Sequence, residues 1–187
     1  MWWERTLGMA VIPAFDYALT RAALEEFGAG GKELSAVLEQ VLKDTAKIGS
    51  TCFQWGLLKP IIIAKFSEVS QHLQQGSQDC NDFGEHSKRI VSALTSSAEP
   101  PFTLQRMCEL LVDPHKHYSS CKKFMAAFEK VTRVTSIQPV IEVSQYLQQR
   151  QLVYSSSNNG DSSSMSVEKQ TGPNPNTGVD QMDVDMK

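Results

Sequence analysis

No apolar run in this 187-residue chain is long enough to cross a membrane. The longest stretches are Leu7 to Phe15, broken by Gly8 and Pro13, and Ile61 to Ala64; a spanning helix needs about 20 apolar residues. Charge of one sign is missing too. Lys and Arg number 18 against 21 Asp and Glu, a net of −3, whereas a nucleic-acid or anionic-membrane binder shows a basic excess. Cysteine is sparse. Its four positions, Cys52, Cys80, Cys108 and Cys121, form no C-x-x-C pair, which excludes a disulfide scaffold and predicts reduced thiols. The start Met1-Trp2-Trp3-Glu4-Arg5 has no basic region, and Asp16 interrupts any apolar one, so no secretory leader is expected. Catalytic fingerprints are lacking as well. No Lys-Ser/Thr follows Gly28, Gly30 and Gly31 to make a phosphate loop, and neither G-x-S-x-G nor H-E-x-x-H occurs.

What is present is an ordinary globular composition, 41% hydrophobic, with a compositional break after Tyr154. Residues 155–187 hold seven Ser and no Leu, Ile, Phe, Trp or Tyr. Such a segment buries too little apolar surface to offset the entropy of ordering it, so disorder is expected. Its five acids and two lysines give −3, and residues 1–154 balance at 16 against 16. The length fits one domain with a tail. We divide it as 1–30, a partly helical accessory extension; 31–154, a helical domain; and 155–187, an acidic Ser-rich tail.

The body reads as all-α, with five to seven helices and one short extended segment near 131–137. Leu34, Val37, Leu38, Val41, Leu42 and Ile48 follow the i, i+3, i+4, i+7 pattern, and Gly49 is placed to stop that helix. Leu58, Ile62, Phe66, Val69 and Leu73 form the next stripe, ending near Gly76. Pro60 is tolerated only in a first turn, which predicts a start near Leu57. Phe83, Ile90, Val91 and Leu94 suggest a helix to about Ser97. Pro100-Pro101 then blocks continuation, Thr103 is placed to cap the next helix, and Phe102 to staple onto Met107. Leu104, Met107, Cys108 and Leu111 share a face, with Pro114 ending the helix. Cys121, Phe124, Met125, Phe128 and Val131 form another. Pro139 is placed to open a last helix burying Val140, Val143 and Leu147. Residues 13–27 carry a weaker stripe of Phe15, Leu19, Ala22, Ala23 and Glu26. One internal echo stands out: Glu68-Val-Ser-Gln-His-Leu-Gln-Gln75 recurs as Glu142-Val-Ser-Gln-Tyr-Leu-Gln-Gln149. It is too short to define a repeat architecture.

Two chemical readings compete with a plain interaction module. Cys108, His115, His117 and Cys121 form a C-x6-H-x-H-x3-C array of zinc-ligand types. Its spacing matches no zinc finger, and both cysteines fall on apolar stripes, so packed thiols are the expectation. A Cys121–His115 or Cys121–His117 nucleophilic pair has no orienting acid. His72 and His86 are expected to be solvated. The order helix 103–112, turn, helix 120–131, extended segment also resembles a helix-turn-helix with a wing. Lys122, Lys123, Lys130 and Arg133 would face phosphates, although the body carries no net positive charge. A winged-helix nucleic-acid binder is thus the alternative.

The string Pro100-Pro-Phe-Thr-Leu-Gln-Arg-Met-Cys-Glu-Leu-Leu-Val-Asp-Pro114 resembles the central signature of the regulatory subunit 2 family of serine/threonine protein phosphatase 4. The resemblance continues through Tyr118, Lys123-Phe124, Phe128-Glu129-Lys130 and Val134-Thr135-Ser136. A second block, Ala46-Lys-Ile-Gly-Ser-Thr51 with Trp55 and Leu58-Lys59, is similar to the family's upstream pattern. Met107 stands where that family has Leu, and Pro60 where it continues a helix. The resemblance implies a non-catalytic subunit without cofactors, working in nucleus and cytoplasm. Its implied partners are the phosphatase 4 catalytic subunit and a further regulatory subunit. Among the matching residues, Gln105, Arg106, Glu109, Phe102, Trp55 and Lys59 are the expected partner contacts. For Arg106 and Glu109 the plainer reading is an i, i+3 pair within the helix, and for Phe102 and Trp55 it is packing in the core.

Overall fold

The computed structural model describes residues 14–31, 33–76 and 80–156. Expectations for residues 1–13 and from 157 onward lie outside the described residues. Among the described residues eight helices follow in order: α1 (Tyr17–Gly28), α2 (Ala36–Ile48), α3 (Trp55–Gly76), α4 (Phe83–Ser96), α5 (Leu104–Val112), α6 (Pro114–His117), α7 (Cys121–Thr132) and α8 (Val143–Ser156). The one-turn α6 carries the number past the expected range. The extended segment near 131–137 reduces to an isolated antiparallel bridge, Pro101 with Ile137.

Local chemistry sets the helix ends. The Leu38 N–H donates to Ser35 Oγ at the start of α2 (3.4 Å). Gly49 closes that helix at φ +81°, in the left-handed region that favours glycine. Asp16 and Ser120 accept backbone N–H bonds at the starts of α1 and α7. Three apolar faces then meet. α2 packs mainly on α5, α4 on α7, and α1 on α3. Phe66 of α3 stacks on Phe128 of α7, with ring centroids 4.7 Å apart. Leu24, Ile61, Ile90, Leu104 and Phe124 are fully buried around them.

Several expectations are corrected. α3 starts at Trp55, which puts Pro60 in its second turn. The carbonyl that loses its donor belongs to Gly56, a surface residue that water can reach. Thr103 makes no capping bond; its hydroxyl donates to the Val131 carbonyl instead (2.7 Å). Phe102 is 67% exposed rather than stapled inward. Leu19 is exposed, and α1 buries Thr20 and Leu24. Val140 and Leu147 are likewise exposed, and α8 starts at Val143 rather than at Pro139.

The buried face of α8 is Tyr146, Arg150 and Tyr154. It is polar because it meets Asp44 of α2, which is 1% exposed. Asp44 accepts from Arg150 Nε (2.7 Å), the Tyr154 hydroxyl (2.6 Å) and Gln40 Nε2 (2.7 Å), and more distantly from the Tyr146 hydroxyl (3.4 Å). Phe15 joins this network, 5.2 Å from the Tyr146 ring and 5.4 Å from the Arg150 guanidinium carbon. Burial beside Asp44 pushes the Tyr146 phenol far up and the Tyr154 phenol up to about 12. A buried ion pair offsets its desolvation only as far as its remaining donors and acceptors are met. The two tyrosines and Gln40 do that for the carboxylate, whereas Arg150 Nη2 is buried without a hydrogen-bond partner among the described residues.

Candidate partner-binding face

The segment 100–103 lies between α4 and α5 and is pinned on both sides. The Phe102 N–H donates to the Ser136 carbonyl (2.7 Å), and the Gln138 N–H to that of Pro100 (2.9 Å). Pro100 and Pro101 are buried, and this rigid pairing leaves two large apolar side chains in solvent: Phe102 at 67% and Ile137 at 62%. One turn into α5, Arg106 Nη1 lies 2.8 Å from Glu109 Oε2 on the half-exposed side of the helix. The opposite side of α5 buries Leu104, Met107, Cys108 and Leu111. An exposed aromatic held on rigid backbone, with an Arg on the adjoining helix, is the chemistry of an interface anchor.

The other three sequence candidates serve the fold. Gln105 Nε2 donates to the Ala46 carbonyl (3.1 Å) at the end of α2. A Cβ at Gly49 would come within 2.8 Å of Gln105 Oε1, so Gly49 is needed for close approach as well as for its φ. Gln138 Nε2 also donates to the Gly49 carbonyl, and the Ile141 N–H to that of Thr51 (3.0 Å). The two blocks that carry the family resemblance, 46–51 and 100–114, therefore meet. Trp55 is buried, and its Nε1 donates to the Ser97 carbonyl (3.2 Å). Lys59 Nζ donates to Ser97 (2.6 Å) and Thr95 (3.0 Å). Both side chains satisfy carbonyls left open at the end of α4, where a cation is also favoured by the helix dipole.

The Cys/His array does not assemble. Cys108 and Cys121 are buried in the core, and burial pushes the Cys108 thiol up to about 12. His115 is exposed and stands edge-on to His72 at 5.9 Å. Among the described residues no three His, Cys, Asp or Glu side chains converge to hold a metal. The helix-turn-helix reading loses its wing: after α7 the described chain makes one bridge and no hairpin.

The α4–α7 seam opens into a groove of about 510 Å³ lined by Lys88, Arg89, Ser92, Glu129, Thr132 and Arg133, among others. Glu129 lies 3.1 Å from Arg89 Nε, 3.1 Å from His86 Nδ1 and 3.9 Å from Arg133 Nη2. The hydrogen bond from Arg89 and the surrounding cations hold its carboxyl below the usual range. His86 is thus half-buried beside a carboxylate rather than fully solvated.

Of Lys122, Lys123, Lys130 and Arg133, the cations expected to face phosphates, Arg133 lines this groove; its α4 side and the Asp44 network were not expected from the sequence. The readable signal for the network was an acid, Asp44, on the apolar face of α2 between Val41 and Thr45.

A family model described as PPP4R2 matches residues 20–187. The chain is 36% identical over 132 residues to serine/threonine-protein phosphatase 4 regulatory subunit 2 of Xenopus tropicalis, covering 65% of this chain and 33% of that protein. The Homo sapiens protein of that name is 33% identical over 132 residues, covering 65% and 32%. The Drosophila melanogaster one is 34% identical over 120 residues, covering 58% and 20%. The matched region thus spans a third or less of these relatives. No solved structure shows a significant match.

Proposed function

The chain belongs to the PPP4R2 family, and from that premise we propose that it is a non-catalytic regulatory subunit that binds the catalytic subunit of protein phosphatase 4. The observation that carries the proposal is the exposed, rigidly held Phe102 beside the Arg106–Glu109 pair, inside the string that resembles the family signature. Phe102 supplies desolvated area, and Arg106 and Glu109 supply directional charge. Gln105, Trp55 and Lys59 hold the ends of α2 and α4 through their bonds to backbone carbonyls. The relatives' names describe regulatory subunits, which supports a role in directing another protein's chemistry. A further regulatory subunit in the same complex, working in nucleus and cytoplasm, belongs to the same proposal.

Size-exclusion chromatography with light scattering, using the full chain and the phosphatase 4 catalytic subunit, tests it. The parent chain is expected to co-elute. Phe102→Ala is expected to weaken the complex by about 2 kcal/mol, roughly 30-fold, and Arg106→Ala by less. A complex indifferent to all three of Phe102→Ala, Arg106→Ala and Glu109→Ala moves the interface elsewhere. No complex, with the third subunit supplied as well, overturns the function.

A further inference from the structure

The charge of this chain is unevenly divided. Residues 82–97 and 120–133, which build α4, α7 and their caps, carry six Lys or Arg (88, 89, 122, 123, 130 and 133) against three acids (82, 85 and 129). Residues 1–154 sum to zero, so the rest of the body is as acidic as this pair of helices is basic. The 155–187 segment carries −3. An acidic segment tethered to this body is attracted to its basic part.

The α4–α7 groove gathers Lys88, Arg89 and Arg133 of that part, and Arg89 is held in place. Glu129 holds Arg89 through Nε, which leaves the terminal amino groups of that guanidinium to face a ligand. Among the lining residues Lys88, Arg89 and Arg133 outnumber Glu129; Asp82 and Glu85 act on Arg89 from the outer end. The groove continues through Ser96, Thr132 and Arg133 into a second of about 440 Å³, bordered by Pro101, Val134 and Ile137, with Glu99 at its edge. One end is cationic and the other apolar.

We propose that the acidic segment Val179–Met186 of this same chain binds the α4–α7 groove, its carboxylates pairing with Lys88, Arg89 and Arg133 and its apolar side chains meeting Val134 and Ile137. The sequence Met182-Asp183-Val184-Asp185-Met186 alternates acid and apolar with a period of two. In an extended peptide that pattern puts acids along one edge and apolar groups along the other. The 23 residues that follow Ser156, through Val179, reach up to about 75 Å, against a radius of gyration of about 14 Å for a body of this size. The tether gives an effective concentration in the millimolar range, so a weak intrinsic affinity is enough. Any acidic segment of a partner then has to displace the chain's own tail from this groove.

The test uses the full chain alone and is independent of the phosphatase reading. Amide resonances are recorded by two-dimensional NMR at about 0.01 M and about 1 M salt, where the screening length falls from about 30 Å to about 3 Å. In the parent, residues 179–186 and the groove residues 88–96 and 132–137 are expected to shift together with salt. Asp180→Asn/Asp183→Asn/Asp185→Asn is expected to produce the same groove shifts at low salt. Lys88→Glu/Arg133→Glu, at two exposed positions, is expected to move residues 179–186 to their high-salt positions. Thermal melts confirm that both variants fold. Tail resonances that are identical in the parent and in Lys88→Glu/Arg133→Glu at low salt overturn the proposal. So does a groove that responds to an added acidic peptide but not to neutralising the tail, because its occupant is then a partner.

Discussion

Glu68–Gln75 in α3 and Glu142–Gln149, which begins one residue before α8, differ at one position in eight, yet they turn different faces inward. In α3 the string buries Val69, Ser70 and Leu73, and His72 is exposed. In α8 the position matching His72 is Tyr146, 1% exposed, and the residue matching Leu73 is Leu147, 43% exposed. Ser144, the match of Ser70, is exposed too. Two turns of helix do not choose their own buried face. In α3 the face continues from Ile62 and Phe66, which an aromatic core demands. In α8 it continues into Arg150 and Tyr154, which Asp44 demands. One string thus joins an apolar core and the other a polar latch.

The largest expected effect breaks the latch. Asp44→Ala leaves Arg150 buried without its counter-charge and is expected to cost about 3–5 kcal/mol. Denaturant melts measure the loss, and hydrogen exchange should show residues 143–156 losing protection. Unchanged protection there would mean that α8 is held by its other contacts.

A matched pair sharpens the contrast. Leu73→Ala is expected to cost about 2–5 kcal/mol, as a buried leucine truncation. Leu147→Ala, at the equivalent position, should fall within about 0.5 kcal/mol of the parent. Equal costs would contradict the reading of the two faces.

Exchanging the one differing residue comes next. Tyr146→His makes the α8 string identical to that of α3 and removes a ring packed on Phe15, at an expected cost of about 1–3 kcal/mol. His72→Tyr makes the α3 string identical to that of α8 and should be nearly neutral, because that position is exposed.

Titration should give the smallest effect at the acid end. Hydrogen bonds from Lys65 and Arg89 lower the carboxyls of Glu39 and Glu129 from 4.5. A lowered folded value contributes stability that is present above pH 4.5 and lost as pH falls below it. At the alkaline end the signs reverse. The Cys108 thiol and the Tyr154 phenol, ordinarily at 9.0 and 10.0, are raised to about 12. Their contribution is intact below pH 9 and lost as pH climbs toward 12. Thermal melts across both ranges check the two signs.

Much of the fold was legible because its signals are local. The stripe from Leu34 to Ile48 with Gly49 behind it, and the Cys121–Val131 stripe, place α2 and α7 within a residue or two. Where local signals misled, a distant group had intervened. Thr103 gave its hydroxyl to Val131, and Phe102 was held outward by the pairing of 100–102 with 136–138. The sequence pointed to the signature string, but not to which of its polar residues reach solvent. Gln105 and Arg106 are adjacent and equally polar; only the approach of α2 to one side of α5 turns Gln105 inward.

Periodicity, caps and breakers therefore determined by themselves that this chain forms helices, and roughly where, because each acts within one or two turns. The family followed from an ordered string of residues, which is likewise a property of sequence. Tertiary structure decided which face of α8 is buried, which of six candidate side chains reach solvent, and that Lys88, Arg89 and Arg133 line one groove. Those outcomes depend on groups far apart in the chain, such as Asp44 and Tyr154, 110 residues apart, whose meeting no local pattern encodes.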